Sequence, residues 1–328
     1  MRVVVTGGAG YIGSHVVRAL GRAGHQVTVL DDLSNGHAED VGGAELVRGD
    51  VTLAGVLDQV ARTARAQAIL HFAARIQVGE SMAHPARYYA TNIGGMLRVV
   101  EAAASARAHV VFSSTAAVYG SPETVPIPID HPCRPENPYG WSKWMSERIL
   151  ADAAGAGGFS YAALRYFNAA GADVEAGLGE KHSPETHLIP LAIDAARSGR
   201  PIRIFGDDWP TPDRTCVRDY VHVIDLADAH VRALEHLAQG GESCTFNLGG
   251  GRGASVREVL DEVGRAIGKS VPSEIAPRRA GDVAELVADI SAARARLGWE
   301  PSRSGLAQIV TDAVSVRRAG ACPPPHRQ

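Results

Sequence analysis

The sequence predicts an α/β fold, a doubly wound parallel sheet of the Rossmann kind followed by a smaller mixed α/β lobe. Three observations lead there. Residues 1–31 read strand, glycine turn, helix, strand; apolar strand-length runs then alternate with helix-length stretches as far as residue 167; and from residue 168 the chain changes to loops rich in Gly, Pro and His with shorter, mixed elements. The expected organisation is a dinucleotide-binding domain over 1–167, a substrate lobe over 168–320 with some segments returning to the first domain, and a frayed tail at 321–328.

Residues 2–6 are a β-branched run suited to a buried parallel strand, and residues 11–23 place Ile12, Val16, Val17 and Leu20 at helical intervals before Gly24 stops the helix. Residues 26–30 are apolar again and end at Asp31, so one βαβ unit closes in about thirty residues. Between strand and helix stand Gly7, Gly10 and Gly13. The first permits a tight turn, the second lets the backbone meet a pyrophosphate, and the third lets helix and strand pack closely. The helix then starts with free N–H groups and the positive end of its dipole turned to the anion. Asp31 lies 18 residues beyond Gly13. A carboxylate there accepts from a ribose 2′-hydroxyl and repels a 2′-phosphate, which favours NAD over NADP.

At 328 residues, 45% hydrophobic, 21% charged and with a net charge of −3, the chain carries neither a nucleic-acid footprint nor a polybasic membrane patch. Cys133, Cys216, Cys244 and Cys322 are scattered without a CxxC pair, so neither a disulfide framework nor a metal is expected. No leader pattern and no run of about 18 apolar residues occurs, and a cytoplasmic enzyme is the expectation.

Residues 32–43 are polar, and residues 44–47 form a short third strand leading to Gly49, Asp50 and Val51. Asp50 either faces an adenine or caps a helix that reads from Thr52 onward. Residues 68–72 are a fourth strand, followed by Ala73 and Ala74, small enough for backbone to lie against a cofactor. Residues 85–105 read as one long helix, and residues 108–112 as a fifth strand that delivers Ser113, Ser114 and Thr115 to the sheet edge where such folds bind ligands. A proline-rich loop over 122–138 precedes a helix over 139–153, and residues 160–166 form a sixth strand. In the lobe, helices around 187–198, 224–237, 255–267 and 304–318 alternate with strands at 202–205 and 245–248.

Tyr139 and Lys143 are four apart at a helix start and therefore share one face. An ammonium beside a phenol lowers its pKa from near 10 and makes it a usable base. Thr115 offers a hydroxyl to hold the substrate alcohol while Tyr139 takes its proton. With eight Tyr and three Lys in 328 residues, this pair is expected by chance about 0.07 times per chain, so its place after a strand ending in Ser-Ser-Thr is informative.

Eight stretches carry a family resemblance: TGGAGYIGSH at 6–15, HFAARIQVGES at 71–81, FSSTAAVYG at 112–120, PYGWSK at 138–143, LRYFNAAGA at 164–172, HLIP at 187–190, VRDYVHV at 217–223 and APRRAGD at 276–282. Through them the chain resembles the extended short-chain dehydrogenase/reductase superfamily and, within it, the UDP-glucose (UDP-galactose) 4-epimerases. The resemblance implies a tightly held NAD that removes hydride from C4 of the hexose and returns it to the other face. Tyr139 is then the base, Thr115 its hydroxyl partner and Lys143 the group on the nicotinamide ribose. Tyr11, Ile12, Asp31, Asp32, Leu33, Ser34, Asn35, Gly36, Asp50, Val51, Phe72, Ala73, Ala74, Thr91 and Phe167 match the remaining cofactor contacts. Asn168, His187, Leu188, Arg203, Phe205, Arg218, Arg279 and Asp282 match the UDP-sugar positions, and Leu286 borders the hexose. Two guanidinium forks, Arg218 and Arg279, also suit a diphosphate on chemistry alone.

The pattern departs from that family at Ile76, where many relatives place a lysine, at Thr91, where Asn is common, and at Arg214, often a glycine. Resemblance also implies a homodimer. A dehydratase needs an acid and a base after the threonine, where this chain has Ala116 and Ala117. UDP-N-acetylglucosamine or UDP-uronate epimerases and decarboxylases, and a non-catalytic NAD-sensing regulator, are the other readings weighed. The intact Thr115, Tyr139 and Lys143 argue against a sensor.

Overall fold

The computed structural model describes residues 1–279 and 281–317. The tail expected at 321–328, with Cys322, and Arg318, the last residue of the helix expected around 304–318, lie outside them. In chain order the main elements are β1 (Arg2–Thr6), α1 (Tyr11–Arg22), β2 (Gln26–Asp31), β3 (Glu45–Arg48), α2 (Val56–Thr63), β4 (Ala68–His71), α3 (Val78–Ala83), α4 (Pro85–Tyr88), α5 (Gly94–Ala106), β5 (His109–Thr115), α6 (Pro138–Gly157) and β6 (Tyr161–Tyr166). There follow β7 (Asn168–Ala170), α7 (Leu188–Ser198), β8 (Ile202–Phe205), β9 (Val217–His222), α8 (Val223–Ala238), β10 (Cys244–Leu248), β11 (Gly253–Ser255), α9 (Val256–Ile267), β12 (Ser273–Ala276), β13 (Glu285–Leu286), α10 (Ser291–Leu297) and α11 (Leu306–Val316).

Seven strands form one parallel sheet in the order β10-β6-β5-β4-β1-β2-β3. Its β-branched runs are buried on both faces, as a sheet flanked by crossover helices requires. Val3, Val5, Leu70, Val111 and Leu164 pack with Val16, Leu20 and Leu226 of α1 and α8. Val4, Ile69, Val110, Phe112 and Ala163 pack on the other face with Leu57, Met96, Val99 and Leu150 of α2, α5 and α6. The strand order reverses at β1, so the crevice beyond the carboxyl ends of β1 and β4 is where a ligand sits.

Beyond residue 167 the chain divides its elements between two bodies. β10, expected as a lobe strand, pairs with β6 at the edge of the large sheet, and α8 covers α1. An apolar strand read without its partners carries no sign of which sheet it joins. The lobe proper contains β9, which pairs with β7, β11 and β13, and the β8–β12 pair. Its core is made by Ile189, Ile193, Val259, Val263, Ile309 and Val310 of α7, α9 and α11.

Two other expectations change. The helix read over 85–105 is interrupted by a wider π turn at Tyr89–Ile93, which carries the buried Asn92 to the loop after β4 and to α6. The helix expected from Thr52 begins only at Val56, because Asp50 folds its carboxylate onto the Thr52 N–H and hydroxyl and makes a turn first.

Arg214, standing where glycine is frequent, takes the left-handed backbone a glycine would take, at φ 69°, in the turn where its N–H donates to the Thr211 carbonyl. A side chain in that region is strained by about 1–2 kcal/mol, partly offset by the greater entropy a glycine loses on folding. Arg214→Gly is therefore expected to raise stability by about 0.5–1 kcal/mol, read as a higher urea midpoint with unchanged slope.

Candidate active site

The glycine turn closes by contacts that only glycine allows. Gly7 has φ +72°, and a Cβ there would stand 2.5 Å from the Ala73 nitrogen; a Cβ on Gly13 would stand 2.1 Å from the Gly7 carbonyl oxygen. The chain folds onto itself so tightly because β1 and β4 end side by side, with the Phe72 and Ala73 N–H groups both donating to Thr6. Gly10 differs. Its φ is −78° and a Cβ there would meet only the Gly7 oxygen, at 3.4 Å, so its demand for glycine comes from the crevice side. Gly10 also brings no side chain to cap α1, which leaves the first N–H groups of Tyr11, Ile12 and Gly13 facing the crevice. These features fit the pyrophosphate of a dinucleotide.

Asp31 is buried and accepts from the Ala9 N–H at 2.9 Å and the Leu33 N–H at 2.9 Å. Burial pushes its carboxyl pKa up, against those two bonds. Each oxygen still has a lone pair for a ribose hydroxyl. Asp32 accepts from the Ser34 N–H, and His37 donates to the Ala9 carbonyl, so Asp32, Leu33, Ser34, Asn35 and Gly36 curl back over the glycine turn. The Tyr11 side chain turns away, its hydroxyl donating to the Gly171 carbonyl at 2.8 Å, so only its N–H remains for an anion. Val51 is buried in the core beside Met96. Phe72 lies against His230, with ring centroids 4.9 Å apart, and the Phe167 N–H donates to Leu248. Thr91 sits in the π turn, where its neighbour Asn92 makes the polar contacts: to both backbone groups of Arg75 and to the Ser142 hydroxyl.

β5 ends at Thr115, and α6 begins with Asn137 capping the Gly140 N–H and Pro138 in the first helical position. That start turns Tyr139 toward Thr115, whose hydroxyl acts to hold the phenol's pKa down. Lys143 follows one turn later. Its buried ammonium donates to the Ser113 carbonyl at 2.7 Å and lies 4.9 Å from the centre of the Phe112 ring. One electrostatic expectation is corrected here: the phenol pKa of Tyr139 is raised, not lowered. Burial of the phenol raises it, and the interaction with the Thr115 hydroxyl opposes the rise. Burial also lowers the Lys143 ammonium to about 7, against the field of Glu147.

Glu147, a further turn along, was not singled out from the sequence, although the spacing 139, 143, 147 marks one helix face. It holds Arg165 of β6 in two parallel bonds, Nη2 to Oε2 at 2.7 Å and Nε to Oε1 at 3.0 Å, and accepts from the Ser114 hydroxyl. Arg165 continues to the Tyr119 hydroxyl at 2.9 Å.

On the lobe side, Arg218, Arg279 and Asp282 come together around Cys216, whose thiol pKa responds to all three charges after the larger effect of burial. Arg218 donates through Nη1 to the Val217 and Val283 carbonyls, which orients the guanidinium and leaves Nε and Nη2 to point elsewhere. Arg279 lies 4.4 Å from the centre of the Phe205 ring and 3.3 Å from Asp282. Leu286 sits opposite Arg218 in the β13–β9 pairing. Asn168 opens β7, His187 caps α7 and Leu188 is its first residue. Arg203 shares the outer face of β8 with Phe205, paired with Glu274 at 3.2 Å.

A parallel sheet with a glycine turn at its switch point, and a buried tyrosine and lysine one helical turn apart beside the threonine at a strand edge, define a dinucleotide-dependent enzyme of the Rossmann class. The chain belongs to the NAD dependent epimerase/dehydratase family, whose model matches residues 3–249. It is 50% identical over 301 residues to a UDP-glucose 4-epimerase of Rhizobium meliloti (strain 1021), covering 91% of this chain and 92% of the relative. With a UDP-glucose 4-epimerase of Azospirillum brasilense it shares 50% identity over 321 residues, 97% and 92% of the two chains. The crystal structure of the Brucella ovis UDP-glucose 4-epimerase in complex with NAD superimposes with a TM-score of 0.92 at 46% identity, covering 95% and 97%.

Because the Thr115 bond favours the ionised phenol, Thr115→Val is expected to raise the Tyr139 pKa. The limb of the pH–rate profile that rises with pH should move up by about one pH unit. An unmoved limb in kcat/KM measurements would detach Thr115 from Tyr139.

Proposed function

We infer that the protein is a UDP-glucose 4-epimerase, interconverting UDP-glucose and UDP-galactose. The observation that carries this reading is the buried Tyr139 phenol, acted on by the Thr115 hydroxyl and one turn from the buried Lys143, at the carboxyl edge of the sheet that carries the glycine turn. The glycine turn and Asp31 would hold NAD, which would supply a reversible hydride acceptor with no net redox change. The residues here do the rest. Tyr139 takes the proton of the sugar 4-hydroxyl and returns it to the keto oxygen; a phenol whose pKa is raised by burial gives a strong base once ionised. Thr115 holds the same oxygen in line, and Lys143, fixed on Ser113, is placed to donate to a ribose hydroxyl. Arg218 and Arg279 receive the diphosphate, and Phe205, stacked under Arg279, shapes the uridine side. The residues Ala116 and Ala117, which follow Thr115, offer no acid or base for eliminating water.

The direct test is UDP-galactose in and UDP-glucose out without added NAD. Tyr139→Phe is expected to keep nucleotide and NAD binding and to lose at least about 10²-fold in kcat, since only proton transfer is removed.

The sugar range turns on Leu286, smaller than a tyrosine and without a hydroxyl to pair with an acetamide. UDP-galactose is the preferred hexose, and UDP-N-acetylgalactosamine is converted with a penalty of roughly 1–3 kcal/mol in kcat/KM. Leu286→Tyr should abolish the acetamido activity and spare UDP-galactose; equal loss of both would remove Leu286 as the gate.

A homodimer is the assembly this reading favours. Leu97 of α5 and Trp141 and Met145 of α6, each 40% exposed, form an apolar face on two helices packed together. Light scattering is expected to give a dimer at micromolar concentration, and Leu97→Glu with Met145→Glu a monomer. The free thiols of Cys133, Cys216 and Cys244 support a cytoplasmic setting, and no described helix is long and apolar enough to cross a membrane.

A further inference from the structure

Between β7 and α7 the chain brings Glu180, His182, Glu185 and His187 together, with one ligand-type atom of each lying within 4.8 Å of all the others. Two carboxylates and two imidazoles on eight residues of one loop are not an ordinary surface. The carboxylates are nearly inaccessible, at 8% and 3% side-chain exposure for Glu180 and Glu185. Glu180 Oε1 lies 2.9 Å from His182 Nδ1 and 2.5 Å from His187 Nδ1, and His187 Nδ1 is 3.4 Å from Glu185 Oε1. His187 Nδ1, shut off from solvent, faces both carboxylates in ion-pair contact, the arrangement that two carboxylates and an imidazole also present to a cation. Glu185 Oε1 is held in place by the Thr186 and His187 N–H groups at 2.8 and 3.0 Å.

We propose that Glu180, His182, Glu185 and His187 bind one divalent transition-metal ion, zinc by the chemistry of the donors, which fastens this loop to the glycine turn. Mixed imidazole and carboxylate donors select a borderline cation over magnesium or calcium. A tetrahedral zinc with bonds near 2.0–2.1 Å sets its ligand atoms about 3.3 Å apart, inside the spread seen here, so small side-chain rotations close the site. The ion would replace the proton that His187 shares with Glu180 and Glu185 and would bind both carboxylates at once.

The surroundings say what the ion would steady. Tyr11, the first residue after the glycine turn, stands edge-on to His182 with centroids 6.2 Å apart. Lys181 pairs with Asp40 at 2.7 Å, and Arg18 of α1 with Asp173 at 3.0 Å. Arg317, after α11, approaches Glu185 at 3.5 Å. The loop therefore joins the dinucleotide turn to the start of α7. Cysteine spacing gave no sign of a metal because this donor set contains no cysteine; the signal is the run Glu-Lys-His-Ser-Pro-Glu-Thr-His.

The test uses the untagged full chain purified without chelator and measured by elemental analysis, before and after incubation with zinc chloride followed by desalting. The expected result is about one zinc per chain, falling below about a tenth in Glu180→Gln and His182→Ala and retained in Glu175→Gln, an exposed carboxylate outside the cluster. Removing zinc from the native chain with dipicolinate should lower Tm by several degrees, restored by zinc chloride and not by magnesium chloride. The proposal is overturned if the native chain neither carries zinc nor gains Tm on adding it, or if bound zinc survives in both cluster variants. These readouts do not involve turnover, so they stand or fall separately from the epimerase assignment.

Discussion

The seating of α6 on the sheet depends on the buried ion pair of Glu147 and Arg165. Both side chains are about 5% exposed, and the guanidinium meets the carboxylate through two parallel bonds while its third nitrogen meets Tyr119 and the Ile129 carbonyl. Such a pair contributes little net stability over an apolar replacement, but removing one partner strands a charge at a cost of about 3–5 kcal/mol. Its effect is on geometry. With Ser114 donating to the same carboxylate, one helix and two strands are locked in register, and Lys143 and Tyr139 stand one and two turns back along the helix. The field of Glu147 also supports a positive charge on Lys143 against its burial. Tyr119 passes the network on through Asn247 to the Ile127 carbonyl, so the edge strand β10 is drawn into the same scaffold.

The second constraint is distance. Gly7, Ala73 and Gly13 approach closely enough to exclude any side chain, which brings the ends of β1 and β4 to the cofactor. Thr115 arrives from β5, the next strand of the sheet, and the lobe arginines come from β9 and the segment after β12. The lobe is tied back to the dinucleotide turn by Tyr11 on Gly171 and by Arg18 on Asp173, so both halves of the site share one reference frame.

Much of this was legible in the sequence where one residue type answers one local demand. The glycine turn, Asp31 at the end of β2 and the Tyr139–Lys143 spacing each encode a local geometry. The rest depended on partners far along the chain. Glu147 reads as a helix-surface acid until Arg165 is seen across from it. Cys244–Leu248 reads as a strand anywhere until β6 claims it, and the π turn at Tyr89–Ile93 has no periodic signature because Asn92 answers to Arg75 and Ser142. The direction of the Tyr139 pKa is not legible in the spacing for the same reason: Lys143 lies one turn away, but burial of the phenol decides the direction.

The central claim is that hydride leaves and returns to the same C4 without exchange with water. UDP-galactose deuterated at C4, converted by the enzyme in ordinary water and analysed by mass spectrometry and proton NMR, tests it most directly. The account predicts UDP-glucose with the deuterium fully retained at C4; loss of the label to solvent would contradict it.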